Sequence, residues 1–196
     1  MDMDSISFQS TIKPVGKTQF NKIVSTYGIQ NYVDYPWTVK ESVFAEKAYT
    51  KNIFDCTVCG ITDGLKVLML HICPTVGKNK NFEKIIDFIR GKIDLTNPNL
   101  QGFLFGSKDF LEFSKKSLEI FENFEKFFND KKIPFSKIKG GNQINDVAYS
   151  SLTDEWIISH NLLENEAIKK SFNSPLDFLK TFFSKVEISE FDEIKW

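Results

Sequence analysis

The densest apolar pattern in the chain runs from Ile53 to Cys73, I-F-D-C-T-V-C-G-I-T-D-G-L-K-V-L-M-L-H-I-C. Two runs rich in β-branched residues flank Asp63-Gly64, a dipeptide favoured in two-residue type I′ turns, so the pattern predicts a β-hairpin. In that register Thr62 faces Leu65, Gly60 faces Val67, Val58 faces Met69 and Cys56 faces His71. Opposed residues share one face, with Cβ atoms about 4.5 to 5.5 Å apart.

Elsewhere the periodicity alternates between helix and strand. Helical spacing is expected near Thr18 to Tyr27, and again over Asn81 to Ile89, where Phe82, Ile85, Ile86 and Ile89 recur on one face. Lys108 to Asn129 should be the longest helix, with Leu111, Leu118, Phe121, Phe124, Phe127 and Phe128 as its core stripe. Strands are expected at Leu100 to Phe105, Ile133 to Ile138, Ile144 to Ser150 and Glu155 to Ser159, with a turn at Gly140-Gly141-Asn142. Pro175 introduces a further helical stretch, Leu176 to Val186, followed by an acidic tail from Glu187 to Trp196. Residues 1–48 are mixed, and Tyr32, Tyr35, Trp37 and Phe44 are expected to cap the core. This order predicts an α+β fold, a mixed β-sheet covered by helices.

The 196 residues fit a single domain, with a core at about 45–160. Twenty Phe and 41% hydrophobic residues supply that core. The 25 basic and 26 acidic residues nearly cancel, so no global field points to nucleic acid or to an anionic membrane. Lys13, Lys17 and Lys22, like Lys78, Lys80 and Lys84, are expected to be solvated surface. The acidic start Met1-Asp2-Met3-Asp4-Ser5 lacks signal-peptide character, and no apolar run approaches a membrane span, so a cytosol is expected, its own or a host's. A monomer is expected.

Three cysteines make no closed disulfide framework and no zinc pattern, so neither metal nor cofactor is expected. Cys56 and Cys59 are nominally Cys-x-x-Cys, but strand residues three apart face opposite sides; Cys73 shares the face of His71. A thiol facing an imidazole suggests a nucleophile and its base, and predicts a lowered Cys56 pKa. Asp55 beside it acts the other way unless it points aside. Thr50, six positions before Cys56, offers a hydroxyl to orient the ring. The plain alternative is structural, since Cys is often buried and a strand His often just packs. His160 is the rival base, and Asp146 or Asp154 the rival orienters if the register differs. Gln143, after the glycine turn, reads as turn chemistry. As exposed site residues, Cys56 and His71 are expected to be replaceable at little cost in stability.

Thr50, Cys56 and His71, with C-T-V-C-G-I (Cys56 to Ile61) and L-M-L-H-I-C-P (Leu68 to Pro74), resemble the cysteine glutamine deamidases: the chemoreceptor deamidase CheD, the cytotoxic necrotizing factor catalytic domain and Burkholderia lethal factor. Gln101 to Gly106, a helix, then I-P-F-S-K-I-K-G-G-N (Ile133 to Asn142) also resembles the CheD order. Where that family has small residues before the nucleophile, this chain has Phe54-Asp55. The resemblance implies a β-sandwich-like core with the long helices packed on one side. It further implies a protein-glutamine deamidase with Cys56 as nucleophile, His71 as base and Thr50 as orienter, acting on a protein substrate as a bacterial toxin or effector. A papain-like peptidase or a transglutaminase would use the same Cys-His chemistry, and a non-enzymatic interaction domain stands as the third class.

Overall fold

The computed structural model describes residues 10–33, 43–74, 79–106, 112–139 and 145–160. The helix expected at Leu176 to Val186, the acidic tail, the Gly140-Gly141-Asn142 turn, Gln143, Tyr35 and Trp37 lie outside them. Among the described residues, ten strands form two five-stranded mixed sheets. The first contains β1 (Thr11–Gly16), β2 (Tyr32–Val33), β4 (Lys47–Ile53), β9 (Asn145–Ser150) and β10 (Glu155–His160), ordered β1-β10-β9-β4-β2. The second contains β3 (Val43–Ala45), β5 (Thr57–Thr62), β6 (Val67–Ile72), β7 (Gln101–Gly106) and β8 (Phe135–Lys139), ordered β3-β6-β5-β7-β8. With helices α1 (Lys17–Thr26), α2 (Asn79–Lys92) and α3 (Glu112–Lys131), the fold is α+β. Because β1 pairs with β10, the sandwich reaches well N-terminal of residue 45.

Every residue of β5, β6 and β9 is buried, so alternation along each strand divides the residues between two covered faces. Gly60 belongs to the face between the sheets, because a Cβ there would meet the Trp156 ring at 2.0 Å. Trp156 stacks on Phe103 at 4.3 Å and tilts against Tyr149 at 4.7 Å, forming the centre of the inter-sheet core. On the other face of the second sheet, a Cβ at Gly102 would strike Phe128 of α3. Phe121, Phe124, Phe127 and Phe128 of α3 are buried there as the stripe predicts, and Phe82 of α2 meets Phe124 edge-on at 4.9 Å. Helix α1 covers the outer face of the first sheet, where Phe20 packs with Val15, Ile29, Ala148 and Ile157. The order of layers is thus α1, sheet, sheet, α2 with α3.

The hairpin register differs from the sequence expectation. Thr62 pairs with Val67, Gly60 with Met69 and Val58 with His71, leaving Asp63 to Lys66 as a four-residue loop. The cause is Asp63, whose Oδ1 accepts from the amides of Leu65 and Lys66 at 2.9 Å each. Leu65, expected inside the strand, is 73% exposed at the tip. Tyr32 and Phe44 are also exposed rather than capping the core.

Both sheets are tied together by polar groups at the end that carries this loop. Tyr149 accepts from Thr62 Oγ1 at 3.0 Å and donates to Asp154 Oδ1 at 2.8 Å. Ser10 adds its hydroxyl to Asp154 at 2.7 Å and its amide to Gln101 Oε1 at 2.7 Å. Burial and the Asp154 carboxylate raise the Tyr149 pKa, so the phenol remains the donor.

Candidate functional site

The opposite rim of the sandwich is where the chain crosses from one sheet to the other. Strand β4 carries a bulge between Thr50 and Ile53 in its pairing with β9. Asn52 takes the extra position with φ 59°, a left-handed conformation that Asn tolerates. Its amide donates to Asp146 Oδ1 at 3.0 Å, which pins the bulge. The inserted residue lets both Thr50 and Ile53 turn into the core, where they are 0% and 1% exposed. Phe54 and Asp55 then carry the chain to Cys56 at the mouth of β5.

Thr50 and His71 meet across the two sheets. Thr50 Oγ1 lies 2.6 Å from His71 Nδ1 and donates to the Val33 carbonyl at 2.8 Å. A hydroxyl has one proton. Since Val33 receives it, Thr50 can only accept from His71, so Nδ1 carries the imidazole proton and Nε2 is the basic nitrogen. Burial holds the His71 pKa down at about 3, so the ring is neutral at physiological pH.

Cys56 stands differently from the sequence expectation. His71 is paired with Val58, not with Cys56; the residue opposite Cys56, one step beyond the Thr57–Ile72 pair, is Cys73. The two-residue shift keeps Cys56 on the inter-sheet face with His71, as a diagonal neighbour, for which Cβ separations are typically about 7 to 8 Å. The expected lowering of the Cys56 pKa is not found. Burial raises it well above the ordinary value, and a hydrogen bond with Cys73 and the Asp55 carboxylate act in the same direction. The thiol approaches Asp55 Oδ1 at 3.8 Å. Cys56, His71 and Thr50 are all buried, so the expectation that Cys56 and His71 are exposed fails.

The rival residues are employed elsewhere. Asp146 holds the bulge and Asp154 the far polar tie, so neither orients His71. His160 ends β10, and its side chain lies outside what is described. Cys59 pairs with Leu70 and faces the helices, which separates it from Cys56 as strand parity requires. Among the described residues no group of three or more His, Cys, Asp or Glu is placed to hold a metal ion, and no helix is long and apolar enough to cross a membrane.

The chain matches no protein-family model and no curated protein. Its likeness to the deamidases therefore stands on its own few residues. Sequence reasoning missed two contributors, Cys73 as the partner of Cys56 and the Val33 carbonyl behind Thr50. The first follows from reading Asp63 as a capping residue of a longer loop; the second leaves no sequence signal, because a backbone carbonyl has no residue type.

Proposed function

We propose that the chain is a cysteine hydrolase that deamidates a glutamine side chain of a target protein, with Cys56 as nucleophile, His71 as proton carrier and Thr50 as the positioning residue. One observation carries this: the chain of hydrogen bonds from His71 Nδ1 to Thr50 to the Val33 carbonyl, which leaves Nε2 as the base of a ring on the face that also bears Cys56. Such an oriented imidazole is what a thiol nucleophile requires.

The Cys56 thiol and the His71 imidazole both rest neutral, because burial disfavours both charged forms. Proton transfer to His71 Nε2 therefore accompanies attack of the Cys56 sulfur on the glutamine carboxamide carbon. Collapse of the tetrahedral adduct breaks the C–N bond, and the imidazolium returns its proton to the leaving nitrogen, releasing ammonia. An imidazolium of low pKa is a strong acid and suits that step. Water, deprotonated by His71, then cleaves the thioester to leave glutamate and the free thiol. With all three side chains buried, the target glutamine reaches Cys56 only by displacing residues at the rim. The deamidase resemblance directs the search for the target to host-cell proteins.

Burial and the raised thiol pKa favour a second reading, a binding domain in which Thr50 and His71 form a core hydrogen bond. Lysate proteins incubated with the wild type and with Cys56→Ser separate the two. A wild-type-only Gln to Glu conversion in peptide masses supports the deamidase. Backbone cleavage supports a peptidase and amine incorporation a transglutaminase. No modification by a correctly folded wild type in lysates from a range of hosts supports the binding domain.

A further inference from the structure

We propose that Cys56 and Cys73 are a reversible dithiol–disulfide pair. The cross-strand bridge follows from strand geometry alone, and only its consequence, withdrawal of the nucleophile, rests on the deamidase reading. The Asp63 amide bonds to the Lys66 carbonyl at the loop, which makes that pair a hydrogen-bonded one. Antiparallel pairs alternate, so Cys59–Leu70 and Thr57–Ile72 are hydrogen-bonded, while Val58–His71 and, one step further, Cys56–Cys73 are not. Non-hydrogen-bonded pairs bring Cα atoms to about 4.5 Å, inside the range of roughly 4.4 to 6.8 Å that disulfides span. Neither cysteine is in a disulfide in this structure, and Cys73 is near enough to be among the groups that raise the Cys56 pKa. Cys59, on the helix-facing side, is excluded by parity, so only one bridge fits.

The oxidant is a low-molecular-weight disulfide such as glutathione disulfide. Cys73, as thiolate, attacks one of its sulfurs and expels one glutathione thiolate, giving a mixed disulfide. Cys56 then loses its proton and attacks the Cys73 sulfur, expelling the second glutathione. Two electrons and two protons leave the pair, and one glutathione disulfide becomes two glutathiones. Exposure of 2% for Cys56 and 3% for Cys73 makes the exchange wait on opening of the rim, so it is slow and is read at equilibrium.

The test equilibrates the native full chain, as wild type and as Cys59→Ala, in glutathione buffers from fully reducing to fully oxidising, with circular dichroism to verify the fold. Peptide mapping should find a Cys56–Cys73 linked peptide whose fraction rises with oxidant and falls on adding dithiothreitol, and the wild type decides the matter if Cys59→Ala does not fold. Glutathione adducts without the linked peptide, or no linkage in the most oxidising buffer, would overturn the pair. Deamidation lost on oxidation and regained on reduction extends the pair to control of the site, and activity unchanged in the linked form refutes that control. Linkage in a protein inactive in both forms leaves the bridge standing and counts against the deamidase reading alone.

Discussion

Replacing Thr50 by Val keeps the shape of the side chain and removes only the hydroxyl between Val33 and His71. In the wild type that hydroxyl satisfies two buried groups, accepting from His71 Nδ1 at 2.6 Å and donating to the Val33 carbonyl at 2.8 Å. Leaving the imidazole N–H without an acceptor costs about 1 to 3 kcal/mol, and the carbonyl, with a second lone pair, costs less. Burying a methyl in place of the hydroxyl returns about 0.8 kcal/mol. The net loss should be about 2 kcal/mol, read as a fall in the urea midpoint with the slope unchanged. The ring has one escape, moving its proton to Nε2, so 15N NMR of the imidazole should report the Nδ1–H tautomer in the wild type and a shift toward Nε2–H in Thr50→Val. On the deamidase reading, activity should fall with it, because the basic lone pair on Nε2 is then lost. A wild-type ring already in the Nε2–H form would refute the tautomer assignment, and a stability change under about 0.5 kcal/mol would refute the cost assigned to the orphaned groups.

His71 should show no titration near its ordinary pKa of about 6.5 in NMR, since its folded value is about 3. The folded value is depressed, so stability is full above about pH 6.5 and is lost as pH falls toward 3, where only the unfolded chain takes up the proton; His71→Leu should shallow the slope by about 1.4 kcal/mol per pH unit inside that window, and an unchanged slope refutes the assignment. Gly60→Ala should destabilise by about 1 to 3 kcal/mol, because its Cβ would sit 2.0 Å from Trp156, and Trp156→Phe in the same chain should relieve part of the loss; strict additivity would contradict the clash. Iodoacetamide at neutral pH should alkylate Cys56, Cys59 and Cys73 slowly, as all three are buried, with residue-resolved rates rising together in denaturant; rapid native labelling of Cys56 alone would refute its burial and raised pKa.

Elements with strong punctuation were legible from sequence. Helix α3 announced itself by its Phe stripe, and β9 and β10 by short apolar runs, Val147-Ala148-Tyr149 and Trp156-Ile157-Ile158, around a polar turn. Strand β1 was missed because Pro14 argues against a strand; it is tolerated because β1 lies at the edge of its sheet. Strands β2 and β3, two and three residues long, are shorter than any periodic window can register. The hairpin was legible, but not its register, since Asp-Gly specifies a tight turn until the Asp63 carboxylate claims two further amides. At the site, the structure does bring Thr50 to the His71 ring, through a bulge that the sequence does not display. Burial was not legible, because Thr50-Lys51-Asn52 and Asp55 read as a polar, exposed approach while the bulge folds Thr50 inward.

Because the Trp156 ring occupies the space where any side chain at position 60 would stand, the two positions can diverge only in concert. A lineage that enlarges residue 60 must first trim residue 156, passing through a form with a hole between Phe103 and Tyr149. That order of events should leave its mark among descendants as paired substitution at 60 and 156, with Gly and Trp inherited as a unit even where the surrounding sequence has drifted beyond recognition.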